Sequence, residues 1–278
     1  MSFTLIETPE DLEVLNAELL EQDYLGLDTE FRRTTKENMK LALLQINDGE
    51  EIYLVDTIQI KYPKDSCEFL FSDSVVKIFH SCKEDLEAIY SWTGNVMKNL
   101  FDTQLANAFL GGNYSIGYQG LVQESLGINI DKKETRSNWV RRPLSDSQLN
   151  YAASDVEYLI YLFREQHKDL MKSNKLDWHN EEINFLISST FDALSCDEKI
   201  VSTTTKSEEI KLLNKFNEIV INISIKEDIN PTLFFSKKNQ KDFIRIALSR
   251  GLEEAFRTIT TWRKILIEDS LKQLLDNY

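Results

Sequence analysis

The apolar positions of this chain change period along its length, and the changes divide it into parts. YLGLDTEF, LALLQIN and EIYLVD are three short runs of strand-forming residues in succession, with turn-prone NDGE between the second and third. A three-strand meander is the simplest arrangement. VVKIFH and NLFDT predict two further strands, each leading into a segment of helical period, KEDLEAIYSW after the first and TQLANAFLG after the second. This alternation predicts a mixed α/β domain. SDSQLNYAASDVEYLIYLFREQHKDLMKS then carries one continuous helical pattern, with Ser145 or Ser147 placed to cap its start after Pro143. A second helix is predicted over 174–194.

Residues 195–206, SCDEKIVSTTTK, are polar and lack apolar periodicity, which predicts a boundary. Beyond it, EEIKLLNKFNEIVINISIK, KKNQKDFIRIALSRG and TITTWRKILIEDSLKQLLDNY predict three to five short helices and no strand pair. The expected organisation is an α/β domain over 1–195 and a small all-α domain over 207–278, with no internal repeat.

Composition narrows the class. With 278 residues, of which 42% are hydrophobic, the chain is long enough for a substantial core. Cys67, Cys82 and Cys196 are widely spaced and odd in number, so neither a zinc site nor a disulfide framework is expected. The first twenty residues lack the basic n-region of a leader, and no apolar run approaches the roughly 18 residues of a membrane span. The expected location is the cytoplasm, away from membranes.

The net charge of -14 argues against a generic polyanion binder, whose affinity comes from Lys and Arg. Its distribution is uneven. Residues 1–196 carry 18 Lys and Arg against 33 Asp and Glu, whereas residues 197–278 carry 14 against 13.

Four carboxylates change the picture most: Asp28 and Glu30 in LGLDTEF, Asp85 in HSCKEDL and Asp155 in YAASDV. On a strand, positions i and i+2 share a face, about 6.5 Å apart along the backbone. On a helix, i and i+4 share one, which places Tyr151 with Asp155. Clustered carboxylates repel one another unless protons or cations intervene. Two divalent ions, Mg or Mn, resolve that conflict and suit in-line displacement at phosphorus with water as nucleophile. Asp28 lies in an otherwise apolar strand, where an uncompensated charge is costly to bury.

These segments, with FDTQLA and SNWVRRPLSDSQLNYAASDV, resemble the ribonuclease D family of DEDD 3′→5′ exonucleases in its Tyr variety. The resemblance covers about the first 190 residues. It implies an RNase H-like exonuclease fold, a mixed sheet flanked by helices, acting on RNA 3′ ends, often those of tRNA precursors. By motif position it implies Asp28, Glu30, Asp85 and Asp155 as metal ligands and Tyr151 as the residue that orients the attacking water. It also implies that Glu30 helps to fix the 3′-terminal sugar hydroxyl. The closing NPTLFFSKKNQKDFI and TWRKILIEDSLKQLL are similar to one helical HRDC accessory domain, which implies a shortened form.

His80 is read as a structural hydrogen-bonding residue rather than a base, and Asp102 as a helix N-cap rather than a ligand. Candidate nucleic-acid contacts are Arg32 and Arg33, then Lys132, Lys133, Arg136, Arg141 and Arg142 with Trp139 interleaved. On one predicted helix face, Lys237, Lys241 and Arg245 form a further basic stripe. The competing readings are a DNA-directed exonuclease of the same group and a catalytically silent RNA-binding module.

Overall fold

A computed structural model describes residues 2–276, apart from 36–37, 64, 131–133, 135–136 and 193–205. The chain opens with β1 (Thr4–Ile6) and α1 (Pro9–Leu19), where Thr8 accepts the Asp11 N–H and Pro9 occupies the first helical turn. The meander follows as β2 (Tyr24–Arg33), β3 (Met39–Asn47) and β4 (Ile52–Val55). Next come β5 (Val76–Phe79), α2 (Lys83–Thr93), β6 (Leu100–Asp102) and α3 (Thr103–Phe109). The strand-rich part closes with α4 (Tyr118–Leu126), α5 (Asp146–Val156) and α6 (Leu159–Lys172).

The six strands form one mixed sheet in the order β1-β4-β3-β2-β5-β6. β2, β3 and β4 pair antiparallel as the meander predicts, while β1 joins β4, and β5 joins β2 and β6, in parallel. β2 and β3 are central, and β3 from Leu41 to Asn47 is buried throughout, as expected for a strand covered on both faces. α2 and α5 both pack on β2 and β3.

One predicted element is corrected. The single long helix is two, α5 and α6, broken at Glu157–Tyr158. The Asn47 side-chain amide donates to the carbonyls of Val156 (3.0 Å) and Glu157 (3.1 Å), and the Tyr118 hydroxyl accepts the Tyr158 N–H at 2.9 Å. Those partners replace the helical bonds that a straight continuation would form.

The helical part comprises α7 (Leu176–Asp192), α8 (Lys206–Glu227), α9 (Pro231–Phe234), α10 (Lys237–Arg250), α11 (Leu252–Phe256) and α12 (Thr261–Asp276). By internal contacts the chain divides into two compact units, one of residues 1–104 and 115–168, the other of 105–114 and 169–278. Thus α7 groups with the later helices, although the sequence pattern joins it to the preceding domain. The polar stretch read as a boundary lies, except for Lys206, outside the described residues.

In the second unit, Phe109, Trp178 and Trp262 pack together, with the two indoles stacked at 5.3 Å. Arg263 and Glu182 form an ion pair of 2.5 Å with side chains 8% and 14% exposed, and the guanidinium also bonds the carbonyls of Leu233 and Phe234. Buried charges persist when paired in this way. Among the described residues, no helix is long and apolar enough to cross a membrane.

Candidate metal centre

Asp28 and Glu30 project from the middle of β2 on the face covered by α5. Alternation puts Gly26, Asp28 and Glu30 on one side. A Cβ at Gly26 would lie 3.1 Å from Leu159 Cβ and 3.4 Å from the Val156 carbonyl, which fixes that side as the one under the α5–α6 junction. A register shift follows Glu30, between it and Phe31.

α5 supplies Tyr151 and Asp155. Its start is set by Ser145, whose hydroxyl accepts the Gln148 N–H at 3.2 Å while Gln148 Oε1 accepts the Ser145 N–H at 3.1 Å. Of the two predicted caps, Ser145 is therefore the one used. One turn separates Tyr151 from Asp155, and the tyrosine hydroxyl bonds the Asp155 carboxylate.

Asp28, Glu30 and Asp155 converge, each offering an oxygen within 4.8 Å of the others. Asp85 does not join that cluster. It lies on the first turn of α2, buried, and its Oδ1 accepts the hydroxyl of Thr29 at 2.5 Å. Thr29 thus ties Asp85 to the residue between the two β2 carboxylates, and Asp85 is the charged neighbour that most raises Asp28.

The charged neighbours acting on Asp28 and Glu30 are all carboxylates. Burial raises Asp28 well above the ordinary carboxylate range, reinforced by Asp85, Asp155 and Glu30 and opposed by the Thr29 backbone N–H. Glu30 is pushed up to about 9 by burial, then by Asp155 and Asp85. Burial lifts Asp155 to about 7 against the Tyr151 hydroxyl, and Asp85 to about 7 against the Thr29 hydroxyl. Asp155 Oδ1 is also buried without a hydrogen-bond partner. Convergent oxygens, mutual repulsion and an orphaned acceptor fit a hard divalent cation.

A cavity of about 190 Å³ opens on this cluster, lined by Asp28, His80, Tyr118, Tyr151 and Asp155 among others. His80 has the structural role read from sequence. Its Nε2 faces the Ile116 carbonyl at 3.0 Å and its Nδ1 the Thr103 hydroxyl at 2.9 Å. Burial lowers its pKa, so the ring is neutral; because a carbonyl can only accept, Nε2 carries the proton. Asp102 likewise serves as a cap, accepting the N–H groups of Gln104 at the start of α3 and of Ser81 and Cys82 ahead of α2.

The model of a 3′-5′ exonuclease family matches residues 3–170, more than half of the chain. The chain belongs to the 3′-5′ exonuclease family. Within this exonuclease family it is 44% identical over 142 residues to a ribonuclease D of Pseudomonas paraeruginosa, a match covering 51% of this chain and 38% of the relative. The chain thus spans well under half of that relative. The fold is that of RNase D from Escherichia coli, described as an exoribonuclease involved in structured RNA processing, at a TM-score of 0.65 and 23% identity over 100% of this chain and 75% of the other. Brucella melitensis NrnC with bound Mg²⁺ shares the exonuclease fold at a TM-score of 0.60 and 22% identity, covering 73% of this chain and 100% of that one.

The candidate nucleic-acid residues separate into three groups. Arg32, Arg141, Lys237 and Lys241 are exposed. Arg33 pairs with Glu87 at 2.6 Å and Glu84 at 3.5 Å, and Arg245 with Glu209 at 2.8 Å. Arg142 and Trp139 are turned inward: Arg142 bonds Asp56 through two N–H groups, and Trp139 is 4% exposed. The reading of these last two as surface contacts is corrected by that burial. Arg136, Lys132 and Lys133 lie outside the described residues.

Sequence reading missed two residues beside the cluster. Thr29 holds Asp85, and its place inside DTE was the signal. Gln45, directly across β3 from Asp28, is fully buried with neither amide atom hydrogen-bonded. A polar residue in an otherwise apolar strand was its signal.

Proposed function

We propose that this chain is a metal-dependent 3′→5′ exoribonuclease that releases 3′-terminal nucleotides as 5′-monophosphates and acts on tRNA precursors or other structured RNA 3′ ends. The convergence of Asp28, Glu30 and Asp155 carries this reading. Two divalent ions, Mg or Mn, supply charge neutralisation at the phosphate and a water of lowered pKa when bound. Asp28, Glu30, Asp85 and Asp155 are the ligands in this reading, with Asp85 fixed by Thr29. The Tyr151 hydroxyl, bonded to Asp155, orients the attacking water, and Glu30 receives the terminal sugar hydroxyl. His80, with both ring nitrogens engaged, takes no proton from the water.

The preference for RNA is supported by the likeness to ribonuclease D. Residues 1–195 form the catalytic domain in this reading and 207–278 an HRDC-like accessory domain, with Arg32, Arg33, Arg141, Lys237, Lys241 and Arg245 as phosphate contacts. Arg33 and Arg245 act there as already paired cations.

Purified protein given Mg²⁺ or Mn²⁺ with matched 3′-tailed RNA and DNA strands provides the test. Release of 5′-monophosphates from the RNA is expected, and Asp28→Asn or Asp155→Asn should lower turnover by more than about a hundredfold. Preferential degradation of DNA would favour the DNA-directed reading. No release under either ion would favour the silent RNA-binding module.

A further inference from the structure

Arg142 is fully committed. Its Nε and Nη2 donate to the two oxygens of Asp56 at 2.5 and 2.7 Å, and Nη2 also donates to the Ala42 carbonyl at 2.7 Å. Nη1 donates to the carbonyls of Trp139 at 2.6 Å and Arg141 at 2.9 Å. A guanidinium has five N–H donors, and these bonds use all of them. None is left for a phosphate.

The partners form a framework. Ala42 belongs to the buried centre of β3, and Asp56 follows β4 directly, with a side chain 2% exposed. Asp56 Oδ1 also accepts the N–H groups of Ile58 and Gln59, so the carboxylate is itself immobilised. Through Arg142, the backbone of Trp139 is therefore tied to the sheet that carries Asp28 and Glu30.

The Trp139 ring reaches α5. It lies 6.0 Å from the Tyr151 ring, tilted by 38°, and its buried indole N–H has no hydrogen-bond partner. Its contact with the tyrosine is therefore one of shape. Tyr151 has one hydroxyl to aim, and the lateral position of its ring determines where that hydroxyl sits.

We propose that Arg142 and Trp139 are positioning residues for Tyr151: Arg142 clamps the Trp139 backbone to β3 and Asp56, and the Trp139 ring braces the tyrosine at the angle catalysis requires. This rests on the reading of Tyr151 as the residue that orients the attacking water. A bidentate, five-bond guanidinium site is not one that lysine can reproduce, which makes Arg142→Lys an informative change.

The test is a double-mutant cycle in the full chain, using release of the 3′-terminal nucleotide from a 3′-tailed RNA with saturating Mg²⁺. Tyr151→Phe, Arg142→Lys and Trp139→Ala should each lower kcat about tenfold or more, with KM held within about twofold. In the Tyr151→Phe background, Arg142→Lys and Trp139→Ala should cause no further loss. Trp139→Phe, which keeps a ring and gives up only an unpartnered N–H, should recover turnover to within about threefold of the parent.

Losses that multiply undiminished in the Tyr151→Phe background would overturn the positioning role alone, as would Trp139→Phe as impaired as Trp139→Ala. A flattened salt dependence of RNA affinity in Arg142→Gln, which removes the charge, would instead return Arg142 to phosphate contact. Full turnover in Tyr151→Phe would overturn both this role and the parent reading of the tyrosine. Should Arg142→Lys fail to fold, the two Trp139 variants decide the question by themselves.

Discussion

At the scale of single residues, Glu30 lies far from its ordinary titration range. Its pKa of about 9 means that the folded protein holds a proton that the unfolded chain has already released over much of the neutral range. Stability then falls as pH rises from the ordinary carboxylate range toward 9, because the unfolded state binds fewer protons there. Lys77 opposes this above about pH 7, since burial lowers its pKa to about 7 and the folded state there binds the fewer protons. Comparison with Glu30→Gln isolates the carboxylate: in metal-free protein the variant's advantage in thermal midpoint should grow between about pH 5 and 9. Added Mg²⁺ should reverse the ranking, and a pH-independent difference would argue against crowding of these carboxylates. Asp28, Glu30, Tyr151 and Asp155 were legible in the sequence because strand and helix periods are local rules. Arg142 was not, since Asp56, the partner that removes it from the surface, lies 86 positions earlier and nothing in RRPL points to it.

Among the elements, the α5–α6 junction departs most from what periodicity alone predicts. The segment 146–172 keeps a helical apolar pattern throughout, so the sequence has no visible stop. The break comes from elsewhere in the fold, through the Asn47 amide and the Tyr118 hydroxyl. Asn47 also accepts the Gly49 N–H at 2.8 Å, so one buried side chain serves both the end of α5 and the turn after β3. Asn47→Ala should destabilise the protein by about 2 kcal/mol, seen as a lower urea midpoint with an unchanged slope. An unaltered midpoint would show that water replaces these bonds at no cost. By contrast, the meander, β5, β6 and the helices after them were legible, because each completes a local pattern. β1, α1 and α4 escaped notice: β1 has only three residues, α1 lies in an opening segment read only for a leader, and α4 has no side-chain cap.

For the molecule as a whole, the chain leaves the first unit after Gln104, returns at Ser115 and leaves again after Lys168. The segment 105–114 is therefore built into a unit whose other residues begin at 169. Within that unit, Phe109 is fully buried against Trp178 and Trp262, and its carbonyl accepts Lys175 Nζ at 2.9 Å. Asn230 bonds the carbonyls of Ala108 and Gly112. A chain ending at Lys168 keeps every strand of the sheet but strips 105–114 of these partners. Limited proteolysis read by mass spectrometry should cut the truncated form first within 105–114 and leave that segment intact in the full chain. Equal protection in both would mean that the segment is ordered without them. The same threading sets an order in time. Trp262 follows Phe109 by 153 residues. At about 5–20 residues per second, the ribosome delivers it roughly 8–30 seconds later. A nascent chain therefore completes its sheet while Phe109 still waits for the indole that covers it. The pace of synthesis then joins native packing in deciding whether that phenylalanine docks or aggregates.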